Sequence, residues 1–186
     1  MNLSPLFEMQ RELDKRIVKE KELEGQDLLP QKILALQVEL GECANEWRGF
    51  KFWSNRQLPT EPEYNWKPNE DGSNLIWETV YGYKKHPLLE EYIDCLHFIL
   101  SIGLEIEIDI QEFGFVAVVR DTTNENFLAL FERISEFSLD PDDWNYEQLV
   151  DRFFGLGEML GFNWEQIEVA YKTKWEINQQ RQTNGY

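Results

Sequence analysis

The sequence predicts an all-α fold: a bundle of about six helices with an irregular insertion at 54–86. Three observations carry it. Apolar residues recur at steps of three and four in six segments, capping or breaking residues mark most segment ends, and one stretch alone is too rich in proline and glycine for a long helix.

The first helix is expected over about 3–24, where Leu6, Phe7, Gln10, Leu13, Asp14 and Ile17 fall at helical intervals and Gly25 stops it. The second opens after Pro30 and runs to about Phe52, with Ile33, Leu36, Leu40, Cys43 and Trp47 on one face. In 54–86, Pro59, Pro62, Pro68, Gly72 and Gly82 exclude one long helix. Its aromatics, Tyr64, Trp66, Trp77, Tyr81 and Tyr83, argue against a floppy linker. The stretch reads as an ordered insertion packed on the helices, or as a lid over whatever the second and third helices build. The third helix starts near Pro87 and continues through LLEEYIDCLHFILSIGLEIEI. A fourth covers about 122–137, capped from Asp121-Thr122-Thr123 and ended before Asp140-Pro141. The fifth covers about 145–160 and ends at Gly161; the sixth starts after Asn163 and reaches about Thr183. There is no internal repeat, and residues 1–186 are expected to form a single domain.

Composition narrows the partners. Hydrophobic content of 42% with 14% aromatics belongs to a folded protein, and 186 residues bury a real core. The formal charge of −17 repels nucleic acid and anionic membrane, so neither is an expected partner. A phosphate-bearing ligand needs local help, from clustered bases or from divalent cations held by acids. Cys43 and Cys95 give no disulfide framework, the N-terminus lacks a signal-peptide core, and no apolar run reaches the ~18 residues of a membrane span. The expectation is a cytoplasmic protein.

Glu39 and Glu42 stand three residues apart on the second helix, and so on one face; Glu91 and Asp94 repeat the spacing on the third, where the next step reaches His97. Surrounded by Leu36, Leu40, Tyr92, Ile93 and Leu96, such acids need an opposing cation, and hard oxygen ligands suit Mg²⁺ or Mn²⁺. An ordinary solvated acidic face is the competing reading. A di-iron site would ask for two Glu-x-x-His units, and only Asp94-x-x-His97 approaches one. On the last helix, Tyr171, Lys174, Asn178, Arg181 and Gln182 form a polar, cationic face able to grip an oligophosphate, or simply to meet solvent.

Together, Glu39-x-x-Glu42, Phe50-Lys51-Phe52-Trp53, Glu91-x-x-Asp94-x-x-His97-Phe98 and Tyr171-x-x-Lys174-x-x-x-Asn178-x-x-Arg181-Gln182 resemble the dimeric dUTPase family, all-α nucleotide pyrophosphatases related to MazG. The resemblance runs from Gln10 to Tyr186. It implies that Glu39, Glu42, Glu91 and Asp94 hold two or three Mg²⁺ (or Mn²⁺) ions. Glu39 and Glu42 would be the catalytic pair, with Glu39 the general base for the water that attacks the β-phosphorus of dUTP. The products would be dUMP and pyrophosphate, with dUDP a second candidate substrate. It further implies that Asp94 and His97 read the 3′-hydroxyl, that Phe98 stacks on uracil, and that Gln10, Trp53 and Asn178 recognise the base. Lys174, Arg181, Tyr171 and Lys51 would hold phosphates, and the active form would be a homodimer. Asp14 stands where the family is expected to have Asn. Two alternatives remain: a MazG-like pyrophosphatase for another nucleoside triphosphate, and a non-catalytic helical protein-binding module.

Overall fold

The computed structural model describes residues 2–64, 66–68, 75–77, 83–109 and 114–185. Among the described residues six helices follow one another: α1 (Ser4–Glu20), α2 (Leu29–Trp47), α3 (Pro87–Glu105), α4 (Thr123–Leu139), α5 (Asp143–Met159) and α6 (Trp164–Thr183). The fold is an all-α bundle. Its centre is α3, against which α1, α2, α5 and α6 all pack. Twelve of the nineteen α3 residues are buried, as a helix that is apolar almost all round requires. Leu96, Ile99 and Leu100 are at most 1% exposed, and each such side chain contributes about 1.5–3 kcal/mol by leaving water. Two tyrosines tie α5 to α3: the Tyr146 hydroxyl donates to the Ile99 carbonyl at 2.9 Å, and the Tyr92 hydroxyl to the Phe153 carbonyl at 3.2 Å. Gly103 makes the first contact feasible, because a Cβ there would fall 2.7 Å from the Tyr146 ring.

The starts of α4 and α6 follow the expected capping chemistry, and α5 adds a cap of its own. Thr122 and Glu125 form a reciprocal capping box on α4, Asn163 and Gln166 another on α6, and Asp142 caps α5 at Asn145. The ends depart from expectation. Helix α1 closes four residues before the expected end, in a Schellman turn where Leu23 N–H donates to the Val18 carbonyl and Glu22 takes the left-handed conformation (φ 56°). Helix α3 ends the same way: Ile108 N–H donates to the Gly103 carbonyl and Glu107 has φ 56°. Glycine usually marks this turn and glutamate does not, so both helices looked longer in the sequence. Helix α2 stops at Trp47 because Arg48 is left-handed (φ 65°), so Phe50–Trp53 lies beyond the helix rather than at its tip.

The described residues of the insertion are more regular than expected. They contain β1 (Glu63–Tyr64), β2 (Trp66–Pro68), β3 (Leu75–Trp77) and β4 (Tyr83–Lys85). Antiparallel pairing sets Glu63 against Lys85, and Trp66 against Trp77, so the chain leaving α2 folds back on itself before entering α3. Strands of two or three residues are too short to carry a readable alternation. Among the described residues, no helix is long and apolar enough to cross a membrane.

Candidate active site

A cavity of about 290 Å³ opens between α1, α2, α3 and α6. Each wall is one helical stripe. Gln10, Leu13, Asp14 and Ile17 come from α1; Asp94, His97, Phe98 and Ser101 come from α3 with the same spacing; Asn178, Arg181 and Gln182 come from α6. Glu39 enters from α2. Helices α1 and α6 are clasped by Arg16, which donates to the Gln179 carbonyl (3.0 Å), to Gln179 Oε1 (2.7 Å) and to Thr183 Oγ1 (3.0 Å). Trp175 Nε1 adds a bond to the Met9 carbonyl at 2.7 Å.

At one side of the cavity, Glu39, Glu91 and Asp94 each present an oxygen within 4.8 Å of the others. Burial, then the Asp94 charge, pushes Glu39 up to about 6. Burial, then Asp94, Glu42 and Glu39, pushes Glu91 up to about 7. Burial also raises Asp94, against the opposing pull of Lys174, whose Nζ lies 2.5 Å from Asp94 Oδ2. One ammonium cannot neutralise this many carboxylates. The donor set, all hard oxygens in a half-buried cluster of excess negative charge, fits a divalent cation of the Mg²⁺ type.

The other end of the cavity is a network of neutral and charged polar groups. Gln10 Nε2 donates to Asp14 Oδ1 at 2.7 Å, Ser101 Oγ donates to Asp14 Oδ2 at 2.6 Å, and the Tyr171 hydroxyl donates to Gln10 Oε1 at 2.7 Å. Burial raises Asp14, with Ser101 and Lys32 working against the rise. His97 stacks on Tyr171 at 4.2 Å, and burial followed by the Lys174 charge lowers it to about 3, so its ring is neutral.

Of the thirteen residues expected at the site, Gln10, Glu39, Asp94, His97, Phe98, Asn178 and Arg181 line this cavity. Glu91 and Lys174 join it through Asp94. Tyr171 lies wholly buried beneath His97 and Gln10. Glu42 is exposed and outside the close trio, though near enough for its charge to raise Glu39 and Glu91. Lys51 is turned back onto Asn45, donating to its carbonyl at 3.1 Å, and Trp53 is 65% exposed with its ring edge-on to Phe50 and Phe52. Neither lines the cavity. Ser101 escaped the sequence reading. It lies seven residues past Asp94 and four past His97, and continuing that stripe one more turn would have found it.

A family model described as dUTPase matches residues 2–65 and 69–186. The chain belongs to the dUTPase family. It is a dUTP diphosphatase, and the all-α architecture is that of the helical branch of the family. A search of curated proteins returns no match. In this dUTPase the acid trio and the polar network therefore flank one cavity.

Proposed function

We propose that this dUTPase cleaves dUTP to dUMP and pyrophosphate with divalent cations, Mg²⁺ first, held by Glu39, Glu91 and Asp94, with Glu42 adding charge from the same helix. The observation that carries this is the convergence of those three carboxylates within 4.8 Å beside a cavity whose α6 wall bears Arg181 and Asn178. A bound Mg²⁺ supplies charge to the phosphate oxygens and makes water more acidic. Asp94 is engaged by Lys174, whereas the Glu39 side chain lines the cavity and has no hydrogen bond among the described residues, so its carboxylate is the one available to take a proton from the attacking water. Lys174 and Arg181 hold the phosphates. Asn178 and Phe98 take the base with Gln10 lining the cavity beside it, Lys51 and Trp53 stay outside the cavity, and His97 and Asp94 meet the sugar. Tyr171 supports this end by fixing Gln10. We infer a homodimer, for which Leu34 and Val38, exposed one turn apart on α2, offer apolar surface, and a cytoplasmic setting.

The test is a nucleotide panel with Mg²⁺, following monophosphate and pyrophosphate. Preference for dUTP is expected, with Glu39→Gln and Asp94→Asn folded and lacking Mg²⁺-dependent turnover. Equal rates on dCTP, dTTP and dUTP would favour a generic triphosphate pyrophosphatase. Full activity in either variant would sink the assigned chemistry.

A further inference from the structure

Gln10 is 4% exposed, and both ends of its amide are committed: Nε2 to Asp14, Oε1 to Tyr171 and to His97 Nδ1 at 2.8 Å. The two ends of an amide have the same shape, so its direction must come from a partner that acts one way only. The Ser101 and Tyr171 hydroxyls both give and take. Asp14 as a carboxylate only accepts; burial works against that charged form, while the Ser101 hydroxyl, Lys32 Nζ at 3.8 Å and the Gln10 amide all favour it. Gln10 must therefore turn its NH₂ to Asp14 and its oxygen to His97, and the His97 proton must sit on Nδ1. His97 Nε2 is left as an unprotonated acceptor, buried and without a partner among the described residues, on a residue that lines the cavity.

We propose that Asp14 is a positioning residue: acting through Gln10, it fixes the Nδ1–H tautomer of His97 and reserves Nε2 for a hydroxyl of the substrate that donates to it. The second half rests on the reading above that places the sugar against His97. A ligand able only to accept leaves Nε2 unpaired, which is penalised in a buried site. In Asp14→Asn, Lys32 and Ser101 retain an oxygen at the Oδ2 position, so the new NH₂ faces Gln10. Gln10 then turns over, offers its NH₂ to His97 Nδ1, and the imidazole proton moves to Nε2.

Long-range ¹H–¹⁵N NMR of histidine-labelled, metal-free protein at pH 7.5 reads the tautomer directly, with His86→Gln assigning the second ring. The wild type is expected as Nδ1–H and Asp14→Asn as mainly Nε2–H. An Nε2–H wild type, or a variant with an unchanged tautomer, would overturn the proposal. The kinetic arm compares dUTP with 3′-fluoro-2′,3′-dideoxyuridine triphosphate, which accepts but cannot donate. One hydrogen bond predicts a preference in kcat/KM of about tenfold for dUTP in the wild type, collapsing towards unity in Asp14→Asn. Equal losses on both nucleotides would mean a merely structural role and would also overturn it. Tautomer reversal without turnover of either nucleotide supports the relay and refutes the substrate assignment.

Discussion

Glu91→Gln should stabilise the metal-free protein at pH 8 and leave it nearly unchanged at pH 4. In the folded chain, Glu91 is pushed from 4.5 up to about 7 by burial and by Asp94, Glu42 and Glu39. A raised carboxyl pKa means that the native state holds its proton more tightly than the unfolded chain. Its contribution is fully favourable below 4.5 and is lost as pH rises through about 7. At about 1.4 kcal/mol per tenfold change, the rise corresponds to ~3 kcal/mol. The carboxyl remains half in contact with water, and screening reduces this to about 1.5 kcal/mol. Glutamine keeps the shape and has no charge to hold, so the variant should gain that amount at pH 8. Urea denaturation in EDTA at the two pH values measures it. With Mg²⁺ at a hundredfold excess over its Kd, the wild type should instead gain about 2.7 kcal/mol and the variant less. A variant less stable than wild type at pH 8 in EDTA, or equally stabilised at both pH values, would refute the picture of mutually repelling acids.

The His97 ring titrates in the opposite sense. Its pKa is lowered from 6.5 to about 3, so the unfolded chain takes the proton first and stability is lost as pH falls below 6.5. His97→Gln should remove about 2–3 kcal/mol of the loss between pH 6.5 and 4.5, read by denaturant titration at each pH. Glu107→Gly should raise stability by about 0.5 kcal/mol, since relief of the left-handed strain exceeds the entropy that glycine adds to the unfolded chain; an unchanged or lowered urea midpoint would count against the Schellman assignment. Gly103→Ala should cost about 1–3 kcal/mol, because its Cβ would strike the Tyr146 ring; a neutral thermal melt would show that α3 and α5 are less closely fitted than described.

Periodicity makes the helices legible, and it makes the candidate site legible wherever one of its residues belongs to a stripe. Asp94, His97 and Phe98 sit three and four residues apart, as do Asn178, Arg181 and Gln182, and each set reaches the cavity together. What spacing does not encode is which side of a stripe meets another helix. Glu39 enters the cavity while Glu42, one turn later, drifts to the surface. Lys51 and Trp53 were harder still, because the left-handed Arg48 turns the chain before reaching them. Tyr171 looked like part of the polar face of α6; α1 covers it, and only the packed structure reveals that contact.

The cavity is closed by α1 and α6, helices about 160 positions apart in the chain and joined by Arg16 and Trp175. Such distant segments meet late in folding, since a long loop must close first. Helix α6 buries only Ile167 and Tyr171, so it is also the wall with the least core to anchor it. The proposed chemistry thus depends on the least secured of the cavity's walls. During gentle heating, turnover should fade while the α3 core still gives a native circular dichroism signal, and a nascent chain should stay inert until α6 has emerged and docked.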